Sequence, residues 1–161
     1  MILNLSQPAG SIEAVSPYLL KSVADYLQQT AVTMIDLSYL TLSQQSMSAL
    51  LPGLTDNDHT VALNFTGCGM DDVIAAEVIP VIYAMPALQT LSFRDNALTG
   101  ASLSVLSDSP PSLIDLDVAH NDFIASDIEA FANTINDTAL TKLDMSGVDL
   151  IYSAKASRTE L

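Results

Sequence analysis

Residues 88–98 read LQTLSFRDNAL, and the same spacing returns in residues 113–123, LIDLDVAHNDF. In both stretches, leucine or another apolar residue stands at the first, fourth, sixth and eleventh places, and asparagine stands at the ninth. Because two copies keep five places in register, the spacing indicates an internal repeat and not a chance run of leucine.

Weaker copies extend this frame over most of the chain, at residues 3–5, 32–42, 63–70 and 140–150. The second apolar place falls at residues 3, 35, 63, 91, 116 and 143, so successive copies lie 32, 28, 28, 25 and 27 residues apart. The pattern resembles the leucine-rich repeat family, whose unit opens L-x-x-L-x-L-x-x-N/C-x-L. The resemblance covers about residues 1–150, a single domain, and residues 151–161 are interpreted as a C-terminal cap or tail.

Each unit is predicted to contain a short strand followed by a helix. Alternation in L-x-x-L-x-L places every second side chain in the core. Apolar stripes at helical spacing follow in residues 12–28, 71–84 and 126–135, with shorter helices near residues 43–51 and 101–107 that prolines are expected to end. The resemblance therefore implies an α/β solenoid of the ribonuclease-inhibitor-like subclass. We expect a curved horseshoe segment of about six repeats, with parallel strands on the concave face and helices on the convex face.

The ninth place of the repeat is expected to hold an inward polar side chain. In the family this residue bonds backbone groups that lose their partners where the strand bends into the loop. Asn96, Asn121 and Cys68 occupy it here, so Cys68 is interpreted as structural. Pro8, Leu40 and Val148 depart from the pattern, which predicts looser or differently turned loops in those units.

Composition restricts the classes of partner. The chain carries 19 acidic and five basic residues, a net charge of −14, and the basic residues are scattered. Nucleic acid and anionic membranes attract clustered lysine and arginine, so both are disfavoured. A protein with a basic or polar surface is the expected partner, although an acidic surface also serves solubility alone. One cysteine and no basic-then-apolar leader favour a reducing, cytoplasmic compartment.

The concave strand face is the expected binding surface, because stacked strands present their outward residues as one continuous sheet. Residues 4, 36, 64, 92, 117 and 144 are predicted to form one row along it. The candidate partner-binding residues on this face are Asp36, Tyr39, Asn64, Arg94, Asp117, His120 and Asp144.

A catalytic function is not expected. Asp115, Asp117, His120 and Asp144 could meet on adjacent strands and hold a metal ion or transfer protons, but no nucleophile accompanies them. The sequence therefore predicts a non-catalytic interaction module with no cofactor and no metal.

Three other functions stay open at this point. The first strand, near residues 2–5, is expected to expose an unpaired edge, which either joins two copies as a homodimer or continues an upstream segment. A short stand-alone repeat also suits a secreted microbial effector that engages a host protein in the host cytosol. A regulatory or targeting domain of a longer enzyme is the third alternative.

Overall fold

A computed structural model describes residues 1–11, 13–135 and 138–148. It contains six strands: β1 (Ile2–Asn4), β2 (Met34–Asp36), β3 (Ala62–Asn64), β4 (Thr90–Ser92), β5 (Asp115–Asp117) and β6 (Lys142–Asp144). A helix follows each of the first five strands: α1 (Pro17–Leu27), α2 (Gln44–Leu54), α3 (Asp72–Tyr83), α4 (Gly100–Leu106) and α5 (Ala125–Thr134). The predicted cap or tail at residues 151–161 lies outside the described residues.

The six strands form one open, parallel sheet in the order β1-β2-β3-β4-β5-β6. Each strand therefore lies beside its neighbours in the chain, as expected when every β-α pair stacks on the preceding one. This architecture is compatible with a repeat solenoid.

The second residue of every strand faces the helices. Leucine or isoleucine fills this place throughout, at Leu3, Ile35, Leu63, Leu91, Leu116 and Leu143. The four central members are at most 1% exposed. Two residues further along, the rings of Phe65 and Phe93 stack with centroids 5.6 Å apart, so aromatic side chains from adjacent turns of the chain fill the same layer of the core.

The asparagines of the repeat perform the predicted structural role. Asn121 Nδ2 donates to the carbonyl oxygens of residues 93, 118 and 119, and its Oδ1 accepts from the Leu98 N–H. Asn96 repeats this arrangement one turn earlier. Cys68 is fully buried and donates to the Leu37 carbonyl, and burial raises the pKa of its thiol to about 12. Its position is therefore structural, as predicted.

Three details of the helix predictions were wrong. The first helix begins at Pro17 and not near residue 12, because the residue before a proline is driven out of the helical region and Ser16 becomes an extended N-cap. Pro52 lies inside α2 instead of ending it, and the helix continues to the buried Leu54. Val73 belongs to the apolar stripe predicted over residues 71–84, but it is 59% exposed, so the core face of α3 is formed without it.

Candidate functional site

The solvent side of the sheet, called the strand face below, consists of the outward residues of the six strands. The register forms a first row from Ile2, Met34, Ala62, Thr90, Asp115 and Lys142. It forms a second row from Asn4, Asp36, Asn64, Ser92, Asp117 and Asp144. The second row is the one that the repeat spacing predicted, which confirms the sequence frame across all six strands.

Every member of the second row caps its own strand. In each case a side-chain oxygen accepts a hydrogen bond from the N–H two residues further along, at 2.9 to 3.3 Å. The N–H groups on either side donate to the next strand instead, as Leu37 and Tyr39 do to the carbonyls of Asn64 and Thr66. The N–H group between these two, such as that of Ser38, points away from the neighbouring strand. A short polar side chain therefore accepts its hydrogen bond at the end of the strand.

A column of left-handed residues lies just beyond the second row, at Tyr39, Gly67, Asp95, His120 and Gly147, with φ between 55° and 83°. The aromatic members cover the glycines of the next turn. A Cβ atom at Gly67 would meet the Tyr39 ring, and a Cβ atom at Gly147 would meet the His120 ring. Glycine adopts this backbone conformation without strain, and its lack of a side chain leaves the space that the two rings occupy.

Hydrogen bonds, and not ion pairs, connect the middle of the strand face. Asn64 Nδ2 donates to Asp36 Oδ1 at 3.1 Å, and Thr66 Oγ1 donates to Asn64 Oδ1 at 2.7 Å. The hydroxyls of Thr66 and Ser92 are 2.9 Å apart and share a hydrogen bond. These four side chains join β2, β3 and β4 into one polar network, which fixes their positions on the surface.

Arg94 organises the ionic half of the strand face. Its Nη1 lies 3.3 Å from Asp144 Oδ2 and 3.5 Å from Asp117 Oδ2, and its Nε lies 3.9 Å from Asp95 Oδ2. One guanidinium thus bridges the outward carboxylates of β5 and β6. Beside it, Lys142 Nζ donates to Asp115 Oδ2 at 2.9 Å.

The pKa shifts on this half follow from these contacts. The pKa of Asp144 is lowered, first by the Ser146 N–H that donates to its Oδ1 and then by Arg94. The pKa of Lys142 is raised, chiefly by its hydrogen bond to Asp115. Both of these groups are therefore charged at neutral pH.

The seven candidate residues fall into three groups. Arg94, Asp117 and Asp144 meet in one ionic cluster, and Asp36 and Asn64 meet in the polar network. Tyr39 and His120, the first and fourth members of the left-handed column, each cover a glycine.

Sequence reasoning did not select several participants on this surface: Asp95, Asp115, Lys142, Thr66 and Ser92. Ser92 belongs to the predicted row, and the other four lie within three residues of that row in the repeat frame. The signal that could have singled them out was the pairing of opposite charges on neighbouring strands, as between Asp115 and Lys142.

A groove lies on the helical side of the sheet. Gly100 and Leu103 of α4 and Asp127 and Phe131 of α5 line a groove of about 190 Å³. The helix α4, which contributes Gly100 to this groove, has only seven residues.

The part of the chain that the structure describes contains no group of three or more His, Cys, Asp or Glu side chains able to hold a metal ion. Within the same residues, no helix combines the length and apolar composition that a bilayer crossing requires.

Comparison with known proteins identifies a structural neighbour. No protein-family model matches the chain, and no curated protein matches it. Among solved structures, it is similar to "Leiomodin-1 Actin-Binding Site 2 (ABS2)", with a TM-score of 0.66 and 14% sequence identity, over 89% of this chain and 86% of that one. At this identity the likeness concerns the fold alone. The neighbour has a fold that contains leucine-rich repeats, and the parallel β-α repeats described above are compatible with that fold.

Proposed function

We propose that the chain is a leucine-rich repeat domain of the ribonuclease-inhibitor-like type, with about six repeats in a curved segment. We further propose that it acts as a non-catalytic module that binds a protein through its concave strand face. The observation that carries this proposal is the preorganised strand face: six outward strand positions in register, with polar side chains already held by hydrogen bonds and ion pairs.

Preorganisation favours binding because side chains that are already ordered lose little entropy when a partner arrives. Asp36, Asn64, Asp117 and Asp144 each keep a backbone hydrogen bond that fixes the side chain. A surface built in this way suits a partner with complementary polar or basic groups.

The structural neighbour is named for a site that binds a protein, and this agrees with an interaction role for the same fold. Fold alone does not transfer a partner, so we do not extend actin binding to this chain. We propose instead a partner chosen by the acidic excess of the strand face. Catalysis, a cofactor and a metal are not part of the proposal, and the free, buried Cys68 agrees with a reducing, cytoplasmic setting.

Site-specific photo-crosslinking tests this function. A benzophenone amino acid is placed at Thr90, an exposed residue at the centre of the first row, and in a second variant at Ala101, an exposed residue of α4. Under irradiation in a cell extract, we expect Thr90 to give a discrete cross-linked protein that excess unlabelled chain competes away. Cross-links confined to Ala101 would contradict the proposal and move the site to the helices.

A homodimer is the second candidate, favoured by one observation. At the edge of the described sheet, Ile2 is 64% exposed, and residues 1–12 contain no charged side chain. Uncharged edge strands are the ones that pair with another chain. Light scattering at several protein concentrations tests it: a dimer that Ile2→Lys abolishes supports edge pairing, and a monomer at every concentration contradicts it.

A further inference from the structure

The two ends of the strand face differ in chemistry, and this difference specifies the partner. We propose that a partner segment crosses the strands with an apolar side chain over β1–β3 and a basic side chain between Asp117 and Asp144, where it displaces Arg94. The inference rests on the proposed function, because it describes what the same strand face binds.

The β1–β3 end of the first row is apolar. It consists of Ile2, Met34 and Ala62, of which Ile2 is exposed and the other two are half-buried. The nearest outward carboxylate on these strands, Asp36, already accepts from the Ser38 N–H and from Asn64. An apolar side chain of a partner that binds here removes apolar surface from water. It leaves no carboxylate without a hydrogen-bond partner, because Asp36 keeps the two bonds it already has.

The β5–β6 end has an excess of acid. Four carboxylates, those of residues 95, 115, 117 and 144, lie with two cations, Arg94 and Lys142. The formal charges of these six side chains sum to −2, so a basic group of the partner would complement them. Glutamate or aspartate at this position would add to the excess and be repelled.

Arg94 marks where that basic group would bind. Asp117 and Asp144 each use Oδ1 for a backbone N–H and turn Oδ2 toward the same guanidinium nitrogen, at 3.5 and 3.3 Å. The Arg94 side chain is 32% exposed and the Asp144 side chain 41%, so these ion pairs remain partly hydrated and weak. A partner that covers these ion pairs excludes water, so its basic group is attracted more strongly to the same two Oδ2 atoms than the hydrated Arg94 is.

The distance between the two ends sets the length of the segment. The apolar β2 position and the acidic β5 position are three strand spacings apart, about 14 Å at about 4.8 Å per spacing. Four residues of extended chain span about that distance. The expected segment therefore carries an apolar and a basic side chain about four residues apart.

An NMR titration with a defined peptide tests the inference. The probe is acetyl-Leu-Leu-Gly-Ser-Gly-Arg-Arg-amide, in which the second leucine and the first arginine are four residues apart. In two controls, glutamine replaces both leucines or glutamate replaces both arginines. We expect the probe to shift amide signals of the strand face and both controls to bind at least about tenfold more weakly, because each lacks one of the two complementary ends. Failure of the probe to bind, or equal binding of the glutamate control, overturns the inference.

Two charge-matched variants isolate Arg94. Arg94→Gln and Lys21→Gln each remove one positive charge, but Lys21 lies on α1, paired with Asp25. We expect Arg94→Gln to tighten probe binding about fivefold by removing the competitor, and Lys21→Gln to change it less than twofold. Equal tightening by both would show that net charge alone acts and would overturn the displacement of Arg94.

Met34→Gln tests the apolar end on the protein side, and circular dichroism checks its folding. We expect this variant to bind the probe more weakly than the parent does, and to bind the leucine-free control peptide with the same affinity as the parent. If the peptide results fail while Thr90 still cross-links a protein, the strand face binds a partner of other chemistry and only this inference is lost.

Discussion

Asn121 holds four backbone groups with one side-chain amide, inside the core, where water cannot replace it. Removing such a residue leaves buried donors and acceptors without partners, which costs about 1–3 kcal/mol for each group that stays unsatisfied. Asn4 also accepts hydrogen bonds, but it is exposed and its partner is Ser6 on the same strand end.

We predict that Asn121→Ala lowers the free energy of unfolding by about 2–4 kcal/mol, and that Asn4→Ala lowers it by less than about 1 kcal/mol. Urea unfolding followed by circular dichroism measures both. Equal losses in the two variants would contradict the structural role of the ninth place in the repeat.

The Tyr39 ring over Gly67 gives a second prediction, because Gly69 provides a matched control. Both glycines have positive φ, +64° and +70°, but a Cβ atom at Gly69 would meet nothing within 4 Å. Gly69→Ala should therefore cost only the backbone term, about 1–2 kcal/mol. Gly67→Ala should cost more, and Tyr39→Ala in the same chain should remove the additional loss, as measured by urea unfolding.

The Cys68 thiol predicts a pH dependence of stability. Its pKa in the folded protein is about 12, against 9.0 for a free thiol, because burial disfavours the thiolate. Above pH 9 the unfolded chain therefore loses a proton that the folded chain keeps, and stability falls as the pH rises. We expect the stability difference between the parent and Cys68→Ala to change by about 1 kcal/mol between pH 9 and pH 10, at the parent's expense. A difference that is constant with pH would contradict the burial of the thiol.

At the scale of elements, Gly53 shows how the first two helices pack. In an exposed helix, alanine is better than glycine by about 1 kcal/mol. Here a Cβ atom on Gly53 of α2 would run into the backbone of Ala24 in α1. Because backbone cannot move aside as a side-chain end can, steric overlap outweighs helix propensity at this position.

We predict that Gly53→Ala destabilises the protein by about 1–3 kcal/mol, opposite in sign to its helix propensity. Ser48→Ala, on the exposed side of the same helix, should be neutral or slightly stabilising. Thermal unfolding of the two variants measures the difference, and a Gly53→Ala protein more stable than the parent would show that α1 and α2 do not approach this closely.

The sequence predicted the strands better than the helices, for a physical reason. A strand of three residues needs only one buried leucine or isoleucine and two outward neighbours, and the repeat spacing marks that place directly. The ends of a helix depend on competing local interactions. Pro17 keeps Ser16 out of the helical conformation, so α1 begins later than the apolar spacing predicts. The helix α2 includes Pro52 and ends at the buried Leu54. The bonds from Thr99 and Ser102 of the α4 region to Asp72 of α3 depend on how neighbouring turns stack, which no single unit encodes.

At the scale of the whole molecule, the sequence located the surface but not its chemistry. The repeat frame placed all six second-row residues correctly. In a sheet of stacked parallel strands, equivalent positions of successive repeats pair with each other, so the repeat period predicts the strand register. It did not reveal that these side chains cap their own strands, or that Arg94 reaches Asp144 two strands away. Those contacts depend on distances between turns, so the division of the face into an apolar and an ionic end emerged only from the structure.

The central claim is that the strand face binds a protein partner. The most direct measurement takes the protein that cross-links to Thr90 and compares its affinity for two matched variants of this chain. Asp117→Asn with Asp144→Asn removes two charges from the strand face, and Asp25→Asn with Glu129→Gln removes two from the helical side. In isothermal titration, we predict a loss of at least about tenfold in affinity for the first pair and less than about twofold for the second. Unchanged binding by the strand-face pair, with a loss in the helical pair, would contradict the claim.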